Sequence, residues 1–138
     1  MKPNCNCFYL LLAMLILTSS IHCTHHAPAV NIVNSEEAVE VIKENISNPA
    51  FIILDVRTPG EFTSGHLAGA VNLDYNAVDF ELQLDRLDKE KNYLVYCKSR
   101  YRSSAAAGMM ETKGFKSIKN LDGGISAWME ADLPVVSE

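Results

Sequence analysis

The chain alternates short, continuous apolar runs with amphipathic stretches. Phe51 to Leu54, Tyr93 to Tyr96 and Ser117 to Leu121 read as strands. The first two are apolar enough to be buried on both faces, as parallel strands are. Ala38, Val41, Ile42 and Ile46 recur at helical spacing and predict a helix over 35–46. Asn34 caps it, with Glu37 three residues on completing a capping box, and Asn48-Pro49 ends it. The Pro-, Gly- and Ser-rich stretch after Asp55-Val56-Arg57 reads as a loop. Val78, Leu82, Leu84 and Leu87, set among acids, predict an amphipathic surface helix over 76–88. Residues 103–112 are small and apolar (Ala105, Ala106, Ala107, Met109, Met110) and predict a close-packing helix stopped at Gly114. Asp122-Gly123-Gly124 then turns the chain into a last short helix around Trp128, with Pro134 just beyond. Strands alternating with helices predict an α/β fold of three layers, with a mostly parallel sheet of about five strands.

The first segment has a different pattern. Lys2 precedes a ten-residue apolar run, Phe8 to Leu17, and then Thr18, Ser19 and Ser20. A charged start, a short apolar run and small residues read as a signal peptide over 1–23. The run is short for a membrane span. Two endings are open: cleavage after Ser20, or lipidation at Cys23, which would anchor the chain without spanning the bilayer. Residues 24–29 read as a linker, in which His25 and His26 lack the further ligands a zinc site needs. The folded body is 30–138, and the expected location is the periplasm or cell envelope. Membrane association is expected only if Cys23 carries lipid.

Composition narrows the function. Of 138 residues, 48% are apolar and 21% charged, and the net charge is −5. An acidic domain lacks the basic face that phosphate backbones require, so nucleic acid is not an expected partner. Roughly 110 residues suffice for a core without metal or disulfide support. Of the four cysteines, Cys5 and Cys7 fall in the leader and Cys23 at its end. Cys97 is left alone in the folded body.

Cys97 ends the apolar strand Tyr93–Tyr96 and opens the segment Cys97-Lys98-Ser99-Arg100-Tyr101-Arg102-Ser103. In parallel α/β sheets, ligands bind at the carboxyl ends of strands. Three cations stand within five residues of an acidic chain. A helix N-terminus and converging loop amides favour an anion. The same field lowers a thiol pKa and makes the thiolate, the form that attacks sulfur. Lys98, Arg100 and Arg102 would add attraction for a small anionic sulfur donor. The alternative is a buried structural cysteine at a strand end.

Three motifs in order carry a family resemblance. They are Asp55-Val56-Arg57-Thr58-Pro59 with Glu61-Phe62 and Gly65-His66-Leu67-Ala68-Gly69-Ala70-Val71-Asn72; the segment Tyr96-Cys97 to Arg102-Ser103; and Leu121-Asp122-Gly123-Gly124-Ile125 with Trp128. Over about residues 30 to 136 the chain resembles a single-domain rhodanese. The resemblance implies a rhodanese-like three-layer domain and a sulfurtransferase. Cys97 would take a sulfane sulfur from thiosulfate or a persulfide donor, become a persulfide, and pass the sulfur to cyanide, a thiol or a protein acceptor. Backbone amides from about Lys98 to Arg102 would hold the added sulfur, and Arg102 would close the loop. No metal or organic cofactor is implied. The four-residue spacing between Cys97 and Arg102 is one shorter than in the related phosphatases and arsenate reductases, which favours a single added atom over a tetrahedral oxyanion. A persulfide carrier for a protein partner is the second reading.

Arg100 stands where the common loop has glycine. Either it forces another loop shape, or it sits at an unstrained position and adds charge. The remaining motif residues are expected to support the site. Asp55 and Arg57 would form a structural ion pair, with Glu61 pairing Arg57. His66 would cap the turn between Gly65 and Gly69 rather than act as a base. Gly123 and Gly124 would allow a close turn. Tyr96 and Trp128 would pack in the core, and Tyr101 would shape the loop mouth.

Overall fold

A computed structural model describes residues 30–137. The expected leader over 1–23 and linker over 24–29, with Cys5, Cys7, Cys23, His25 and His26, lie outside these residues, as does Glu138. The chain runs β1 (Asn31–Val33), α1 (Ser35–Asn45), β2 (Phe51–Asp55), α2 (Pro59–Ser64), β3 (Ala70–Asn72), α3 (Phe80–Asp85), β4 (Asn92–Tyr96), α4 (Tyr101–Thr112), β5 (Ser117–Leu121) and α5 (Gly124–Glu130).

The five strands form one sheet in the order β1-β5-β4-β2-β3, and every pairing is parallel. Side chains alternate across the strands, which sorts the core into two halves. Leu54, Val95 and Ile118 pack with Phe80 and Leu84 of α3 and with Ala106, Ala107 and Met110 of α4. Ile53, Leu94 and Leu121 pack on the other face with Ala38 of α1 and with Ile125 and Trp128 of α5. The domain is therefore three-layered, as the alternation of elements predicts. Each large aliphatic side chain buried in this way contributes about 1.5–3 kcal/mol. The alanines of α4 let its backbone lie close to β4 and β5.

The capping box of α1 forms as expected: the Glu37 N–H donates to Asn34 Oδ1 and the Asn34 N–H to Glu37 Oε2, both at 2.9 Å. Elsewhere the structure departs from the pattern. The expected loop after Arg57 contains α2, because Thr58 caps it, Pro59 pre-sets its first turn and Glu61 closes a second capping box. The helix expected over 76–88 shrinks to Phe80–Asp85. Asp74 folds the preceding residues into a turn, its carboxylate accepting the Asn76 N–H and its carbonyl the Ala77 N–H. Val78 and Leu82 are left in solvent, whereas Leu84 is buried as expected and Phe80 is buried with it. The helix expected from 103 begins two residues earlier, at Tyr101. No helix among the described residues is long and apolar enough to cross a membrane.

Candidate active site

Three connections meet at the carboxyl end of the sheet: the β4–α4 loop bearing Cys97, the β2–α2 connection bearing Arg57 and Thr58, and the Asp122-Gly123 turn between β5 and α5. Cys97 follows the last residue of β4 and is buried, with 1% of its surface exposed. Its side chain lies on the α4 face of the sheet.

The loop's carbonyls are turned away from the sulfur by α5. The Ile125 N–H donates to the Cys97 carbonyl (2.9 Å) and the Ser126 N–H to the Lys98 carbonyl (3.1 Å). Gly124 makes this approach possible. A Cβ there would overlap the Cys97 carbonyl oxygen and stand 2.7 Å from the Lys98 carbonyl. Both turn glycines hold positive φ, 67° at Gly123 and 59° at Gly124, a region glycine enters freely.

With the carbonyls engaged, amides are free to face the sulfur. Burial pushes the Cys97 thiol pKa up, but the Ser103 hydroxyl and the backbone N–H groups of Ser103, Ser99 and Arg100 outweigh it, and the net shift is downward. Ser99, Arg100 and Ser103 thus contribute amides to the cradle. Ser103 is fully buried, and its hydroxyl also lies 3.1 Å from the Arg100 carbonyl. One hydroxyl proton serves either acceptor, and a charged sulfur is the stronger one.

Two of the three loop cations are neutralised. Arg102 is held in a fork by Glu61 of α2, Nη1 to Oε2 at 2.7 Å and Nη2 to Oε1 at 2.8 Å. Arg102, followed by the Thr58 capping contacts, pulls the Glu61 pKa down to about 2 against the opposing effect of burial. Arg100 Nη1 lies 2.6 Å from Asp122 Oδ1. Lys98 is exposed and makes no ion pair among the described residues. The pull on an anion from side chains is therefore weaker than three consecutive cations suggest.

Arg100 occupies the left-handed region, φ 87° and ψ −22°. The glycine-like loop shape is kept, and the arginine adopts it. For a residue with a Cβ this conformation costs roughly 1–3 kcal/mol.

The remaining motif residues build the wall behind the loop. Asp55 and Arg57 form a buried ion pair, Arg57 Nη2 to Asp55 Oδ2 at 2.6 Å, and the guanidinium also donates to the Gly65 carbonyl. Glu61 does not pair with Arg57, as sequence proximity suggested; Asp55 holds Arg57, and Glu61 faces Arg102. Asn72 ties β3 to this corner through the carbonyls of Asp55 and Arg57. Tyr96 is buried beneath Arg57 and accepts the Leu67 N–H on its hydroxyl. His66 is buried, stacked on Phe62, with Nδ1 2.9 Å from the Phe62 carbonyl. Its backbone pairs with Val136, so it fastens the C-terminal segment. Trp128 packs in the core and donates to the Pro134 carbonyl at 3.0 Å. Tyr101 is exposed at the start of α4. Among the described residues no group of three or more His, Cys, Asp or Glu side chains is placed to hold a metal ion.

Sequence reasoning missed one residue of this site, Asp122 as a partner for Arg100. In the sequence it belongs to a turn and to the third motif, and nothing local links positions 22 residues apart.

The architecture agrees with comparison to known proteins. A family model described as Rhodanese-like domain matches residues 38–131, and the chain belongs to that family. A protein of Allochromatium vinosum named Sulfurtransferase is 30% identical over 86 residues, covering 62% of this chain and 78% of that one. The Thiosulfate sulfurtransferase GlpE of Stutzerimonas stutzeri is 32% identical over 82 residues, covering 59% of this chain and 72% of that one. A rhodanese-related protein of Thermoplasma volcanium superposes with a TM-score of 0.65 at 30% identity, covering 78% of this chain and 99% of that one. Family membership and these relatives support sulfurtransferase activity at the level of the family.

Proposed function

We propose that this protein moves a sulfane sulfur from thiosulfate or a persulfide donor to a thiophilic acceptor through a persulfide on Cys97. The supporting observation is the cradle itself: a thiol at 1% exposure, with amides of Ser99, Arg100 and Ser103 aimed at it. Such a site stabilises negative charge on a sulfur added to the thiol.

The Cys97 thiolate attacks the outer sulfur of thiosulfate. A new S–S bond forms, the old S–S bond breaks, and sulfite leaves with the electron pair. Cys97 then carries a persulfide anion in the amide cradle. Cyanide or a thiolate attacks the outer sulfur, takes it as thiocyanate or a new persulfide, and returns Cys97 as thiolate. Arg102, fixed by Glu61, holds the first turn of α4 and with it the Ser103 amide. A persulfide-carrying role for a protein partner is supported by the pairing of Arg100 and Arg102, which leaves Lys98 as the unpaired attraction for a free dianion. The apolar run Phe8 to Leu17 supports export to the cell envelope; fractionation of cells making the tagged chain tests this, and a cytoplasmic full-length product overturns it.

The central test is intact mass. Reduced protein is incubated with thiosulfate, freed of donor and weighed beside Cys97→Ser. A gain of one sulfur on the wild type alone, discharged by cyanide, is expected. No gain from thiosulfate with a gain from a persulfide donor would assign the carrier role, and no gain from either would overturn sulfur transfer through Cys97.

A further inference from the structure

Arg100 keeps a backbone conformation that its own Cβ disfavours, and its side chain reaches across the loop to the turn that precedes α5. The acceptor there, Asp122 Oδ1, also receives the Gly123 N–H at 3.1 Å. Asp122 is in turn anchored to the edge strand, its N–H donating to the Val33 carbonyl at 2.8 Å. One residue thus joins the left-handed residue of the cysteine loop and the glycine turn through its carboxylate, and β1 through its backbone N–H. We propose that Asp122 is a positioning residue for the cysteine cradle: its ion pair with Arg100 holds residue 100 in the left-handed conformation and so keeps that residue's amide on the Cys97 sulfur.

The physical argument is one of selection between backbone states. Glycine at position 100 would occupy φ 87° without penalty. An arginine gains by relaxing toward the right-handed region, and that rotation turns the peptide between Ser99 and Arg100 and its N–H away from the sulfur. The ion pair opposes the relaxation, because the guanidinium reaches Asp122 from the left-handed conformation and a rotated backbone would have to carry it away or re-route it. Other charged groups surround the loop: Lys98 and Arg102 within it or at the start of α4, Glu61 on α2, and Asp55 with Arg57 from the end of β2. None of them pairs with Asp122 among the described residues. The Arg100 and Asp122 side chains are 45% and 52% exposed, so added salt weakens the tether.

The proposal rests on Cys97 being the reactive thiol, and its test needs no sulfur donor, so it stands or falls separately from sulfur transfer. Iodoacetamide alkylation of Cys97 is followed by peptide mass across pH in the full chain, with melting recorded for every variant. Asp122→Ala is expected to raise the apparent Cys97 pKa by about half a unit, an alkylation loss of about threefold at a pH below it. A through-space effect predicts the opposite sign, since removing a carboxylate favours a nearby thiolate. In an Arg100→Gly background the same Asp122→Ala change is expected to leave the pKa in place, because glycine needs no tether. Salt should raise the pKa in the wild type and not in Arg100→Gly. Asp122→Asn, which keeps an acceptor for the Gly123 N–H, replaces Asp122→Ala if that variant does not fold. A pKa lowered or unmoved by loss of Asp122, or raised equally in both backgrounds, overturns the proposal.

Discussion

Glu61 and Arg102 stand 41 residues apart in the chain and meet in a two-pronged ion pair that joins α2 to the first turn of α4. The carboxylate is itself held by the Thr58 backbone N–H and hydroxyl, so the capping box of a short helix orients it. Glu61→Gln is expected to cost about 1–2 kcal/mol, since a charged, partly buried acceptor is lost. Urea denaturation measures this, and an unchanged midpoint would contradict it. Folded Glu61 titrates near 2, below its ordinary value of 4.5. Its contribution is therefore complete above about pH 4.5 and fades as the pH falls toward 2. The wild type should lose stability over that window more steeply than Glu61→Gln.

Gly124→Ala should disable the site and weaken the fold together. The new methyl group would overlap the Cys97 carbonyl, and a φ of 59° is unfavourable for alanine. Loop and α5 have to separate, which breaks the bonds from Ile125 and Ser126 to the loop carbonyls. A loss of at least about 2 kcal/mol follows from strain plus broken bonds, with sulfur loading on Cys97 abolished. A variant that melts and loads as the wild type does would show that the contact is not needed.

What could be read from sequence, and what could not, follows from the range of each interaction. Asn34 and Glu37, or the apolar run Tyr93 to Tyr96, are local signals, and the elements they predict are present. The position of Cys97 at a strand end followed from the same pattern. Strands β1 and β3 are three residues each, too short for any periodicity to register. The helix α2 did carry a signal, Thr58-Pro59-Gly60-Glu61, but its proline and glycine read as a loop. Charge pairing was legible only where it is local: Asp55 pairs with Arg57 as expected, but Glu61, also near Arg57 in sequence, meets Arg102 from 41 residues away.

Lys98 tests how donor charge is recognised. With Arg100 and Arg102 already paired, it is the loop cation left to meet an anion. Lys98→Glu should raise KM for thiosulfate by about tenfold, because attraction becomes repulsion at an exposed position. The kcat should change little, since the substitution alters a side-chain charge at an exposed position and leaves the loop backbone in place. Steady-state rates at low and high salt separate the two parameters. A fall in kcat at unchanged KM would place Lys98 in the chemistry instead.

Ser103 offers the cleanest test of how the thiol is activated. It is fully buried, its hydroxyl faces both Cys97 and the Arg100 carbonyl, and its amide belongs to the cradle. Ser103→Ala removes the hydroxyl and keeps the amide, so part of the stabilisation survives. Burial then counts for more, and the Cys97 pKa should move up from its depressed value toward the ordinary 9.0. Alkylation at neutral pH should slow by about threefold to tenfold, as expected for loss of one hydrogen bond to a charged sulfur. At a pH well above the shifted value the two proteins should react alike, because both are then thiolate. Slowing that persisted at high pH would mean that Ser103 shapes access to the sulfur rather than its charge.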